Sequence, residues 1–202
     1  MEILTQKNWI NRLGLSWFIQ LKPFLETDKI NTIANQIANE RRMNKAIYPS
    51  SEEVFTSFNL CDYDEVKVVV IGLNHYFKDE IKPINKLLEL HKELEADLKI
   101  LKVNFDYSLK EYASQGIFFL NDGLTYNRFP GNHSKIWKVF TDETFKCLDN
   151  KEFIIYVNFS NKELTINNNN HIIINMNEIP NSKLFSKINN ELWIRNYKLI
   201  NW

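Results

Sequence analysis

Four short apolar runs constrain this chain more than any other feature: Val66–Ile71, Ile117–Leu120, Phe153–Val157 and Ile172–Ile174. They are β-branched or aromatic, nearly unbroken rather than alternating, and each is bounded by Gly, Asn or Asp. A strand with one wet face alternates apolar and polar residues, whereas a strand covered on both faces does not. Between the runs lie segments with helical spacing. Leu87, Leu88, Leu90, Leu94, Leu98 and Leu101 fall near i, i+3, i+4, i+7, and Ile136, Trp137, Phe140, Phe145 and Leu148 form a second apolar face. Strands alternating with helices predict a parallel sheet with helices on both faces, an α/β fold.

A helical N-terminal part is expected over 1–46, where Trp9, Leu13, Trp17, Ile30, Ile33 and Ile37 are the apolar positions and Pro23 punctuates them. A last helix is expected over 182–197, and the tract Asn167–Asn170 reads as a surface turn. No repeat or linker interrupts the 202 residues. At about 150 residues per domain, they fit one domain spanning 1–202. The 25 basic and 25 acidic side chains cancel, which excludes a histone-like polycation and an acidic DNA mimic. No apolar run approaches the ~20 residues of a membrane helix. Glu2 and Gln6 break any signal-peptide order, so the expectation is a cytoplasmic protein (or one of the host-cell interior, if viral), not secreted and without membrane partners. Cys61 and Cys147 form no CxxC pair and are expected to pack in or near the core. His75, His91, His133 and His171 lack ligand spacing, so no metal and no cofactor is expected.

In open parallel sheets, ligands bind outside the carboxyl ends of the strands. Each run here is followed there by an asparagine: Asn74, Asn121, Asn158 and Asn177. Asn is common in turns, but four at one expected edge point to a site.

The order of segments resembles the family 1 uracil-DNA glycosylases from about Trp9 to Trp202. Ile47-Tyr48-Pro49-Ser50 with Glu53-Val54-Phe55 is similar to that family's IYPP…EDVF segment, and Val66–Gly72 to the strand entering its GQDPYH loop. Gln115–Asn121 with Leu124-Thr125 resembles QGVLLLN…LT. Trp137 with Phe140-Thr141-Asp142 resembles the W-x-x-FTD helix, Phe185–Asn189 resembles FSKxN, and Ile200-Asn201-Trp202 the PIDW end. The resemblance implies a three-layer α/β/α fold with a central four-stranded parallel sheet, built to flip a nucleotide into a pocket.

At the catalytic positions the chain departs from that pattern. GQDPYH reads Gly72-Leu73-Asn74-His75-Tyr76-Phe77, so Asn74 stands where the family's Asp orients the attacking water. HPSP falls on Asn177-Glu178-Ile179-Pro180, so Asn177 replaces the His that stabilises the uracil anion. The segment with the base-stacking Phe, the intercalation loop and the Gly of the Gly-Ser phosphate loop are missing. Two base-pocket positions persist: Asn121, which reads the uracil edge, and Tyr76, which excludes the thymine methyl. An amide carries no charge and is no base near pH 7. The expectation is therefore a pseudoenzyme, catalytically inactive, retained as an accessory module that binds DNA weakly or binds a DNA-processing or defence protein, and encoded by a virus or mobile element.

Two alternatives stand beside it. One is an active divergent glycosylase with Asn74 positioning the water; the mismatch-specific family 2 enzymes carry Asn in a GINP motif at this place. The other is a homo-oligomeric interaction protein without DNA contact. Candidate DNA contacts are Lys78, Lys82, Lys86, Arg128, Lys135, Ser160 and Lys183, with His133 matching a DNA-contacting segment but expected as a solvated loop residue. The strand-end segments carry a net charge of about +5, compatible with a phosphate-facing surface. The acidic run Glu89, Glu93, Glu95 and Asp97 reads as a solvated helix face.

Overall fold

A computed structural model describes residues 6–43, 46–73, 85–99, 109–127, 131–160, 163–176 and 182–202. The N-terminal part forms α1 (Gln6–Leu13), α2 (Leu15–Leu25) and α3 (Asp28–Arg42). The break falls at Gly14, in the left-handed region at φ 79°, not at Pro23. Pro23 sits in the last turn of α2, where one missing backbone donor disturbs little of the helix.

The four apolar runs become β2 (Val68–Ile71), β3 (Ile117–Leu120), β6 (Ile155–Asn158) and β7 (Ile172–Asn175). They form one sheet in the order β3-β2-β6-β7, every pair parallel. The first three are buried at each residue, as unbroken apolar runs require. β7 is half-buried and exposed in alternation, because it is an edge strand with one face uncovered. A second, small antiparallel sheet joins three two-residue strands, β1 (Ile47–Tyr48), β4 (Tyr126–Asn127) and β5 (Gly131–Asn132). They are too short to carry a period-two signal.

Helices cover both faces. α4 (Thr56–Leu60), α2 and α7 (Ser134–Asp149) lie on one side, where Trp17 is fully buried. Its ring meets Phe58 at 5.0 Å, Tyr63 at 5.2 Å and Phe118 at 4.7 Å, and its Nε1 donates to the Cys61 carbonyl at 2.7 Å. Such ring pairs each add about 0.5–1.5 kcal/mol beyond area burial. On the other side α5 (Asn85–Leu98), α6 (Lys110–Ala113) and α8 (Leu184–Ile194) pack Leu90, Tyr112, Leu184, Phe185 and Ile188 over Val68, Val70 and Val157. The predicted α/β/α layers and four-stranded parallel sheet are therefore present.

The C-terminal segment is stapled to this second layer. Asn189 Nδ2 donates to the Ile200 carbonyl at 3.0 Å and its Oδ1 accepts the Ile200 N–H at 2.9 Å. Gln115 makes the same kind of two-way contact with Asn201. Trp202 is thereby held against Phe185, ring centroids 4.7 Å apart.

The acidic run on α5 is a solvated face only in part: Glu89 is exposed and Glu95 half-buried, while Glu93 and Asp97 hold α8. Glu93 is 2% exposed and accepts from Ser182 Oγ at 2.7 Å and the Lys183 N–H at 2.6 Å. Asp97 accepts from the Ser186 N–H at 2.8 Å and its hydroxyl at 2.6 Å. These carboxylates satisfy donors at the N-terminus of α8, whose N-cap residue Lys183 supplies no side-chain cap of its own.

Candidate active site

The chain leaves β2 for β3 on one side and later returns to place β6 on the other, so the strand order reverses between β2 and β6. This switch point is where an open parallel sheet offers a crevice. Gly72 follows β2 with φ +73°, a conformation glycine adopts without strain. It also lies against the backbone of Ser160, just past β6: a Cβ on Gly72 would stand 2.8 Å from the Ser160 nitrogen. The Phe159 N–H donates to the Ile71 carbonyl at 2.8 Å and the Gly72 N–H to the Leu120 carbonyl at 3.3 Å, which ties the three strand ends together.

Beside this junction opens a cleft of about 660 Å³, large enough for a nucleoside. Its apolar lining includes Ile71, Leu120 and Phe145, and its polar lining Asn121, Ser134, Lys135 and Ser160. Asn121 and Ser160 are half-buried and Lys135 is exposed. Three expected site residues, widely separated in sequence, thus meet in one cleft. Lys183 does not join them; it is exposed at the start of α8 beside Glu93. Lys86 lies on α5. Asn74, Tyr76, Lys78, Lys82, Arg128 and Asn177 lie outside the described residues.

The cleft is less positive than the segment charges imply. Asp122, Asp142, Asp149 and Glu163 line it with Lys135, Lys138 and Lys146. Lys138 is bonded to Asp142 at 2.7 Å and Lys146 to Glu143 at 2.7 Å. Spacings of three and four residues on one helix face bring these charges together.

His133 is 7% exposed, not a solvated loop residue. Its Nδ1 lies 2.8 Å from Thr125 Oγ1, which also accepts from Trp137 Nε1 at 2.8 Å. Indole nitrogen only donates, so the threonine oxygen is the acceptor toward Trp137 and holds both rings at one point. His133 Nε2 faces the Glu40 carboxylate at 3.6 Å. The network pins the 121–125 loop to α7 and α3 and so fixes the base of Asn121. Burial places His133 behind the cleft wall rather than on a DNA-facing surface.

At the end of β6, Asn158 is 2% exposed. Its Nδ2 donates to Asn175 Oδ1 at 3.0 Å, and its Oδ1 accepts from the Ser160 N–H at 2.9 Å and the Ser160 hydroxyl at 2.6 Å. Asn175 is not marked by the sequence, because the apolar run of β7 stops at Ile174; the register pairing Asn158 with Asn175 is the signal that finds it.

Burial, with Asp62 adding to it, pushes the Cys61 thiol up to about 12, and burial with Glu143 pushes Cys147 up to about 11. Both remain protonated near neutral pH and pack as small apolar groups. Among the described residues no group of three or more His, Cys, Asp or Glu is placed to hold a metal, and no helix is long and apolar enough to cross a membrane.

No protein-family model matches the chain. A uracil-DNA glycosylase of Caenorhabditis elegans is 30% identical, over 94% of this chain and 77% of that protein. The uracil-DNA glycosylase of Alkaliphilus oremlandii is 31% identical, over 92% of this chain and 94% of its own length. In structure, mimivirus uracil-DNA glycosylase superposes with a TM-score of 0.79 at 17% identity, over 98% of this chain and 89% of that one. A mimivirus UNG variant in complex with UGI superposes with a TM-score of 0.80.

These relatives overturn the expectation of a pseudoenzyme kept only as a binding module. They carry the name of an enzyme and match this chain along almost its whole length. Lost charge is not lost function, since an amide oxygen still accepts a hydrogen bond from a water and can orient it. With this identity over more than nine-tenths of its residues, and with this sheet beneath the cleft, the chain belongs to the uracil-DNA glycosylase family.

Proposed function

We propose that the protein is a divergent DNA glycosylase that hydrolyses the N-glycosidic bond of uracil, or of a mismatched base, in DNA. The observation that carries this reading is the meeting of Asn121, Lys135 and Ser160 in one cleft at the switch point of a family sheet. In this role Asn121 reads the edge of the extruded base, since an amide offers both a donor and an acceptor. Asn74 positions the attacking water through its amide oxygen, Tyr76 limits the pocket to bases without a 5-methyl group, and Asn177 donates to the leaving base anion. The partner is DNA, held in part by Lys135 at the exposed rim.

The electrostatics set the expected rate. Removing one preorganised group typically costs ~10²–10³ in rate, and two are replaced by amides here, at Asn74 and Asn177, so the enzyme should be slow. The test is a single-stranded oligonucleotide with one deoxyuridine, followed by alkaline cleavage at abasic sites. Cleavage above a no-enzyme control, lost in Asn74→Ala, supports the reading. No cleavage after long incubation at high enzyme concentration overturns it.

A further inference from the structure

The buried stripe of α7 runs through Trp137, Phe140, Thr141, Thr144 and Leu148, at the spacing that turns one helix face to a core. Phe145 falls beside that stripe. It is half-buried and lines the cleft along with polar residues of the same helix, Lys138, Asp142, Lys146 and Asp149. Among the described residues that line the cleft it is the one aromatic. Its ring is backed by the fully buried Tyr156, 6.3 Å away between centroids. The rest of the apolar lining is aliphatic, with Ile71 and Leu120 at the strand ends and Leu164 and Ile166 in the segment that joins β6 to β7. Such a lining suits a flat ligand with apolar faces and a polar edge, because Asn121 offers an amide in the same cleft.

A base drawn out of the double helix loses its neighbours on both faces, and a pocket replaces them with aromatic or apolar side chains. The segment that would bring a stacking ring is missing from this sequence. We infer that Phe145 supplies that ring: it is a binding residue for the face of the extruded base, as Asn121 is for its edge. The inference rests on the proposed glycosylase function for the identity of the ligand. A side chain that only packs would behave differently. Leu keeps the site apolar and Tyr adds a hydroxyl, so packing favours Phe145→Leu over Phe145→Tyr. Stacking reverses that order, because only Tyr keeps the ring.

Two measurements test this. The first is saturation-transfer NMR with free uracil on protein deuterated everywhere except at its phenylalanine rings, so that signal reaches uracil only from such a ring. Transfer is expected in the parent and in Phe145→Tyr, and its loss in Phe145→Leu. The second is steady-state kinetics on a deoxyuridine oligonucleotide. There kcat/KM should fall about tenfold or more in Phe145→Leu, as for the loss of one base–ring stack, and stay within about threefold of the parent in Phe145→Tyr. No transfer to uracil in the parent overturns the inference, even if both variants fail to fold. Transfer that persists in Phe145→Leu overturns it too. Uracil release by Phe145→Leu at the parent's kcat/KM, or a loss in Phe145→Tyr as large as in Phe145→Leu, overturns it and leaves the glycosylase reading intact. Transfer that depends on Phe145 with no release from any oligonucleotide has the opposite meaning: the base contact stands and the glycosylase reading fails.

Discussion

Replacing Gly72 with Ala should damage this protein more than the same change at Gly14, although both glycines have positive φ, +73° and +79°. A left-handed conformation burdens a residue with a Cβ by about 1–2 kcal/mol, and that penalty applies to both. The difference is in what the new methyl meets. At Gly14 the nearest atoms are Asp62 Oδ1 at 3.6 Å and the Phe58 carbonyl at 3.9 Å, ordinary contacts. At Gly72 it would stand 2.8 Å from the Ser160 Cβ and nitrogen and 3.0 Å from its Cα, and backbone cannot step aside as a side-chain tip can. Overpacking of this kind adds about 1–3 kcal/mol. Gly72→Ala should therefore lose about 2–5 kcal/mol and Gly14→Ala about 1–2 kcal/mol. At this chain length 1 kcal/mol moves Tm by about 2–4 °C, so Gly72→Ala should lower it by on the order of 10 °C. Urea unfolding of both variants beside the parent supplies the assay. Equal losses would refute the close approach of the β2 and β6 ends, and with it the placement of Ser160 in the cleft.

Three other outcomes follow from the same geometry. Thr125→Val keeps shape but strips the partner from Trp137 Nε1 and His133 Nδ1, and should lose about 1–3 kcal/mol in urea unfolding; a neutral result would contradict the buried network. The His171 ring is enclosed, with Nδ1 accepting the Ile154 N–H at 3.1 Å, and burial holds its pKa below the ordinary 6.5 despite Asp149. Only the unfolded imidazole takes up a proton just below pH 6.5, so stability should fall as the pH drops from 6.5, more steeply in the parent than in His171→Gln; parallel curves would refute this. Lys135→Glu should weaken DNA binding for all sequences alike and flatten the slope of log K against log salt by about 1, whereas an unchanged slope would remove Lys135 from the phosphate contacts.

The sheet was legible because covering a strand on both faces leaves an unbroken apolar run, a signal that needs no neighbour to interpret. β7 misled for the complementary reason: Ile172, Ile173 and Ile174 are all apolar, yet the strand lies at an edge and its burial alternates. The site was legible only as far as strand ends could be placed. Asn121 follows β3 directly and Ser160 lies two residues past β6, and the structure brings both into the cleft. The polar residues that support them were not legible, because their partners are distant in the chain. Glu93 reads as one more surface acid until α8 arrives with donors at Ser182 and Lys183. His133 reads as a loop residue until Thr125 and Trp137 close around it. The functional expectation failed differently. Each departure from the family pattern is local to one position, while the retained frame and the relatives' enzyme name speak for the chain as a whole.

The central claim is that this cleft takes an extruded base and releases it from DNA. Free base released from duplexes carrying uracil opposite adenine, uracil opposite guanine or thymine opposite guanine can be quantified by mass spectrometry, for the parent and for Asn121→Ala. The account predicts free uracil from the parent, little or no thymine, and a rate reduced by about 10²-fold in Asn121→Ala, since the variant would lose the contacts made to the flipped base. No free base from any duplex, or uracil release unaffected by Asn121→Ala, would contradict it.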